Sequence, residues 1–253
     1  MSAVPTVREW LRERPFCLAL SSGFFGFFAH AGLLSVLEEE GLLPARLAGS
    51  SAGALVAGAW ASGVSSARMR EELLALRREH FWDPAPGLGL LAGRLFRGRL
   101  EALLAATTFA ECRAPVAISV FDVLSRRTCV VTEGALAPAI QASCTVPLLF
   151  HPVWSGGRPL LDGGIADRAC VRGLAPGERT LHHHLASRSP WRAKGAPSMD
   201  VPERDGLLAL VVRGVPRVGP FRLEVGPQAF EIAYRGAREA LGAKAHSGVV
   251  HVG

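Results

Sequence analysis

The stretch RLAGSSAGALVAG, residues 46–58, sets two adjacent serines inside a run of small residues. Its centre, Gly49-Ser50-Ser51-Ala52-Gly53, is a G-x-S-x-G pattern. In a chain with 28 glycines that pattern arises easily by chance, so its setting decides its meaning. ARLAG (45–49) reads as a short buried strand, and the small residues from Ser51 to about Gly63 read as a helix. A serine between strand and helix stands where a nucleophile elbow needs it. The turn there is tight, and Gly49 and Gly53 avoid clashes two residues to either side. The hydroxyl is lifted above the sheet edge, near a helix N-terminus whose partial positive charge favours a developing anion. A plain helix N-cap is the alternative, but Gly53 and Ala54 stand where a capping box wants Glu or Gln.

Outward from this point, strands alternate with helices. FCLAL (16–20) is a buried strand ending at Ser21-Ser22-Gly23, and a helix over about 27–40 follows, stopped by Gly41. A charged helix is expected over 66–79, then a Pro- and Gly-rich loop or lid from Phe81 to about Gly98. VAISVF (116–121) and TCVVT (128–132) read as paired strands, 135–143 as a helix, and RPLLD (158–162) as a strand ending at Asp162-Gly163-Gly164. TLHHHLA (180–186) and LLALVV (207–212) are later strands, and a helix over 227–242 closes the chain. Residues 187–206 are polar and weakly patterned. The alternation implies an α/β fold with a largely parallel sheet flanked by helices. No internal repeat appears, and 253 residues suit one domain spanning 1–253.

Composition narrows the function classes. The five cysteines are odd in number, scattered and without a C-x-x-C pair, which argues against a disulfide framework and a zinc site. They are expected to be reduced, in a cytoplasmic compartment. MSAVPTVREWLRERPF carries charges throughout and lacks the apolar core of a secretory signal. No run of about 18 strongly apolar residues suggests a membrane-spanning helix. The net charge of +6 fits a solvated, arginine-rich surface, or a preference for anionic lipid surfaces. The arginines are scattered and no nucleic-acid-binding motif appears, so nucleic acid is not an expected partner.

In the α/β-hydrolase fold the elbow usually comes after several strands; here it follows only one or two. LSSGFFGFFAHAGLL (20–34) precedes it, and QASCTVPLLFHPV (141–153) and LLDGG (160–164) follow. These four blocks, in this order over about residues 16–170, resemble the patatin-like phospholipase family. G-x-S-x-G and D-G-G are weak signals singly, but Asp162 lies 111 residues after Ser51 with the A-S-x-x-x-P-x-x-F-x-P block between them. The resemblance implies a three-layer α/β architecture completed by residues 171–253. It also implies a Ser–Asp dyad without histidine: Ser51 as nucleophile, and Asp162 orienting its hydroxyl and accepting its proton. Gly49, Gly53, Gly163 and Gly164 support these turns. The family's S-G-G-G-x-R-G falls on Ser21 to Phe27, where Ser22, Phe24, Gly26 and Phe27 depart from it. Backbone N–H groups of Gly23 and Phe24 remain the implied oxyanion donors. The substrate implied is a lipid acyl ester, with transient contact to a membrane surface and no cofactor or metal.

Other residues leave alternatives open. His182, His183 and His184 lie on a strand, so at most His182 and His184 share a face; strand packing is their expected role, with a metal site or a His-dependent esterase triad as rivals. His30 is expected to fix the first helix. Asp122 and Asp167 are minor rival bases, and Cys144 is expected to be buried and inert. Phe24, Phe25, Phe27 and Phe28 are expected to pack the first helix on the sheet, with an acyl-chain pocket as the sharper reading. LLAGRLFRGRLEALL (90–104) reads as a lid or amphipathic helix, with a membrane-resting segment as the alternative. An acyltransferase, or a catalytically weak lipid-binding protein, is compatible with the same residues.

Overall fold

A computed structural model describes residues 4–186, 196, 199–245 and 248–253. Helix α1 (Val7–Glu13) opens on a Thr6–Glu9 capping box. Strand β1 (Cys17–Leu20) and helix α2 (Phe27–Glu39) follow, then β2 (Arg46–Ser50), α3 (Ala52–Ala61) and α4 (Ser66–Leu74). The middle of the chain holds β3 (Gly89–Leu91), α5 (Arg94–Leu103), β4 (Val116–Asp122), β5 (Arg127–Val131) and α6 (Leu136–Ser143). β6 (Leu148–Phe150), β7 (Val153–Ser155) and β8 (Arg158–Asp162) lead to β9 (Thr180–His183), β10 (Leu207–Val212), α7 (Gly226–Gly242) and β11 (Val249–Val252).

Six strands, in the order β11-β10-β9-β1-β2-β4, pair in parallel. β5 and β8 pair with β4 in the antiparallel sense, and β7 pairs with β8. The register places the ends of β2 and β8. β5 covers one edge of β4 over Ile118–Asp122, so β2 and β8 must share the other. β2 takes Val116–Ser119 of that edge and β8 takes Val120–Asp122, running the opposite way. The two strands therefore meet end to end, each at its C-terminus. Ser51 follows the last residue of one, and Asp162 is the last residue of the other.

The two faces of the sheet are built differently. Leu18, Leu20, Leu47, Ile118, Leu181 and Leu210 face a thick core shared with α2, α3, α6 and α7. α3 is apolar all round and buried along its whole length, as such a helix must be. α2 and α7 approach closely at Gly32, where a Cβ would come within 2.5 Å of the Phe230 carbonyl. The opposite face carries small residues, Ala19, Ala48, Ala117 and Ala209, and is covered by Cys170 and Leu174 in the short-turned segment after β8. The molecule is thus an α/β protein whose central sheet is flanked by helices.

Several expectations need correction. The charged helix stops at Leu74 instead of about residue 79, and a single 3₁₀ turn, Arg78–His80, replaces its end. The 81–98 loop contains β3 and the start of α5. α5 forms despite its glycines because Asp83 caps it from a distance: its carboxylate accepts from the N–H groups of Gly93, Arg94 and Leu95. β6, β7 and the edge strand β11 were not expected, and α7 therefore does not close the chain. Within the polar 187–206 stretch, residues 187–195 and 197–198 lie outside the described residues.

Candidate active site

Ser51 connects β2 directly to α3 with φ 54° and ψ −120°, a backbone conformation that side chains rarely adopt. The turn is held because its neighbours leave no room for another. A Cβ on Gly49 would lie 2.6 Å from the Ala54 backbone nitrogen, and one on Gly53 would overlap the Leu20 carbonyl of the neighbouring strand. The Ser51 N–H donates to Ser143 Oγ at 2.8 Å, and that hydroxyl donates to the Ser119 carbonyl at 2.7 Å. The Ser51 side chain caps nothing, which removes the plain N-cap reading.

Instead, Ser51 Oγ donates to Asp162 Oδ2 at 2.6 Å. The other carboxylate oxygen, Oδ1, accepts the Gly164 N–H at 2.7 Å. Gly163 and Gly164 allow this turn: a Cβ on Gly163 would strike the Ser119 carbonyl, and one on Gly164 would strike Ser22 Oγ. Burial pushes the Asp162 carboxyl up to about 6, against the opposing hydrogen bonds from Ser51 and Gly164. The group is ionised at neutral pH yet only modestly above its pKa, which suits a proton acceptor.

Ser51 lies in a cleft that the loop after β1 overhangs. Gly23 and Phe24 line it beside Ser51 and Ala52. Among the described residues, neither the Gly23 nor the Phe24 N–H meets an acceptor. Phe25 has φ 54°, and its ring is packed against Phe24, Phe27 and Phe81 at centroid distances of 5.0, 5.3 and 5.8 Å. The four phenylalanines divide their roles. Phe28 is buried in the core against Gly226, whereas Phe24, Phe25 and Phe27 line the cleft. Most of the remaining wall is apolar, namely Leu73 and Leu76, Phe81, and a stripe of Phe96, Leu100 and Leu103 along α5, while His80 and the Glu72–Arg99 ion pair are its polar members. That i, i+4, i+7 stripe was the sequence signal for this wall.

The rival residues are engaged elsewhere. Asp122 accepts from the Leu124 and Ser125 N–H groups and pairs with Arg158. Asp167 accepts from Ser119 Oγ and from the Val171 and Arg172 N–H groups. His182 meets the Ala169 carbonyl and lies beside His184 with the rings tilted, while His183 points the other way, to His30. None of these histidines lines the cleft. Among the described residues, no three His, Cys, Asp or Glu side chains converge to hold a metal. Cys144 differs from expectation in lining the cleft, half-buried, with Sγ 3.1 Å from the Ser51 carbonyl oxygen. Burial and the nearby Asp162 push its thiol well up, so it stays protonated. Ser143 stands in the A-S-x-x-x-P block without its bond to the Ser51 N–H being foreseen, and Ser119 and the α4–α5 wall are parts of the site that motif reading missed.

No helix among the described residues is long and apolar enough to cross a membrane. The crystal structure of VipD from Legionella pneumophila shares this fold, with a TM-score of 0.68 at 13% identity over 90% of this chain and 66% of that one. An uncharacterized NTE family protein of Mycobacterium tuberculosis is 30% identical over 153 residues, covering 59% of this chain and 42% of its own length. A second from the same organism is 28% identical over 159 residues, covering 60% and 27%. The chain thus spans less than half the length of these curated relatives. The family description "patatin-like phospholipase" matches residues 18–174, from β1 through the Asp162 turn, and the chain belongs to that family.

Proposed function

We propose that the protein hydrolyses acyl esters of lipids through an acyl-Ser51 intermediate, with Asp162 as the only proton carrier. The observation that carries this reading is the 2.6 Å hydrogen bond from Ser51 Oγ to a buried carboxylate beside an apolar cleft. Ser51 Oγ attacks the ester carbonyl carbon and passes its proton to Asp162. The N–H groups of Gly23 and Phe24 receive the charge that develops on the carbonyl oxygen. Asp162 returns the proton to the departing alcohol. Water then attacks the acyl-enzyme and gives a proton to Asp162, which passes it to the departing Ser51 Oγ as the fatty acid is released, so that both residues return to their starting forms.

The cleft supports an acyl chain as the bound group, because its walls offer rings and leucines and few polar atoms. Its rim supports approach to a lipid surface. Leu148 on β6 and Leu95 on α5 belong to elements that line the cleft, and Leu90 on β3 and Leu88 just before it lie on the strand paired with β6; Leu88 and Leu148 are each 72% exposed. Arg94 is exposed beside them at the start of α5.

A pH–rate profile on p-nitrophenyl butyrate tests the mechanism. Asp162 must be ionised to take the serine proton, and burial holds its pKa at about 6. kcat/KM is therefore expected to be flat above about pH 7 and to halve near pH 6, with a steeper fall at lower pH as acid destabilisation through the buried histidines adds to it. Undiminished kcat/KM down to pH 5 would rule out Asp162 as the base.

A further inference from the structure

Four histidines are buried outside the cleft, and the mechanism above uses none of them. Two, His30 on α2 and His183 at the end of β9, meet ring to ring with 2.9 Å between their Nδ1 atoms. On its other side, His30 Nε2 lies 2.8 Å from the Ser21 carbonyl oxygen. Ser21 begins the loop that carries Gly23 and Phe24.

The hydrogens of this pair follow from elementary constraints. A carbonyl only accepts, so His30 Nε2 must carry hydrogen. Burial lowers the pKa of both rings, that of His30 to about 4, and the charged or titratable side chains acting on them are Arg168, His182 and His184, none of them acidic. Both rings are neutral at pH 7, and a neutral imidazole has a single N–H. His30 Nδ1 is therefore bare and accepts, so His183 must donate from its own Nδ1. His183 Nε2 is then the bare nitrogen, and it has no partner among the described residues. The two rings hold opposite tautomers.

The far end of the loop is held independently of the imidazole, by the first backbone bond of α2 from the His30 N–H to the Gly26 carbonyl at 3.1 Å. Other bonds pin the same segment: Ser22 N–H to the Arg168 carbonyl at 2.7 Å, and Leu185 N–H to Ser21 Oγ at 3.0 Å. Leu185 packs so closely that a Cβ on Gly23 would lie 2.5 Å from its Cδ1.

We infer that His30 is a positioning residue: held in its Nε2–H form by an Nδ1–H His183, it fixes the Ser21 carbonyl and so sets the Gly23 and Phe24 N–H groups in place before substrate arrives. This rests on the reading of those groups as oxyanion donors. The pair acts as a splint between β1, β9 and α2, at the point where a small displacement matters most. A shift of about 1 Å in a positioning group costs up to about 10²-fold in rate.

Two-bond ¹H–¹⁵N spectra of the imidazoles in the wild-type protein test the pair directly. The expected result is hydrogen on Nε2 of His30 and on Nδ1 of His183, with neither ring titrating between pH 8 and 6. Hydrogen on Nε2 of His183, or a charged ring at pH 7, overturns the proposal. Kinetics test the positioning role. His30→Leu is expected to lower kcat by about 10- to 100-fold with KM within about twofold, because the donors act in the transition state. His30→Gln, which keeps an amide N–H near the Nε2 position, is expected to recover most of that loss. Equal activity of the Leu and Gln variants, at any level, contradicts it. A wild-type protein without esterase activity sinks the hydrolase reading, while the spectra still decide the tautomers.

Discussion

Ser51→Ala is expected to lower hydrolysis of p-nitrophenyl butyrate by about 10⁴-fold or more, and Asp162→Asn by about 10³ to 10⁴. Alanine leaves no nucleophile. Asparagine keeps the shape of the carboxylate but cannot take the serine proton. Both proteins should stay folded, which separates chemistry from stability. Ser51→Ala removes one hydrogen bond of the turn, while the backbone bond from Ser51 N–H to Ser143 remains. Asp162→Asn removes a buried charge. Its carboxyl pKa is raised from 3.8 to about 6 on folding, so the stability it contributes is present below 3.8 and is lost as pH rises through 6. At pH 8 that loss is on the order of 3 kcal/mol. The Asn variant avoids it and is expected to melt at or above the wild-type temperature at pH 8 in a circular-dichroism scan. A folded Asp162→Asn protein with more than about a tenth of wild-type turnover contradicts the dyad.

The protein is also expected to unfold in mild acid, and the buried histidines set the range. The pKa values of His30, His182 and His184 fall from 6.5 to about 4, 3 and 4, in each case chiefly through burial, and that of His183 falls well below 6.5. In the unfolded chain these imidazoles take protons as pH drops below 6.5, while in the folded protein they resist. The unfolded state then binds more protons, so stability falls between 6.5 and about 4. Asp162 works in the opposite sense, but it is one group against four. The combined loss on reaching pH 4 is on the order of 5–10 kcal/mol, comparable to the whole stability of an ordinary domain. Urea melts at pH 7.5, 6 and 5 measure this. The midpoint is expected to fall steeply across the series, and a midpoint unchanged at pH 5 would show that the imidazoles are not buried neutral. These histidines read as packing residues in the strand pattern; the cost of protonating them became visible only in the fold.

How much of the site was legible depended on the range of the interactions involved. Ser51 could be read because its constraints are local: a strand, a tight turn with glycines two residues to either side, and a helix. Asp162 could be read from its D-G-G turn and its place in the order of blocks. The geometry that joins them could not. Strand alternation does not reveal that β8 runs antiparallel into the end of β2 along one edge of β4, which puts the two residues in contact. The 81–98 segment misled because its prolines and glycines favour loops locally. α5 is started by Asp83, ten to twelve residues back in sequence, and local propensity carries no trace of that capping. Cys144 looked like an ordinary core residue, since nothing in its neighbourhood along the chain marks the Ser51 carbonyl as its partner. The Phe cluster was legible as apolar, but local sequence does not show that Phe28 packs in the core against Gly226 while Phe24, Phe25 and Phe27 line the cleft.

The central claim is that Ser51 is a nucleophile activated by Asp162 alone. Labelling the folded protein with a fluorophosphonate and mapping the adduct by mass spectrometry tests it most directly. The account predicts a single adduct on the peptide that contains Ser51, absent in Ser51→Ala and formed at least about 10²-fold more slowly in Asp162→Asn. An adduct on another serine, or none in the folded wild-type protein, would contradict it.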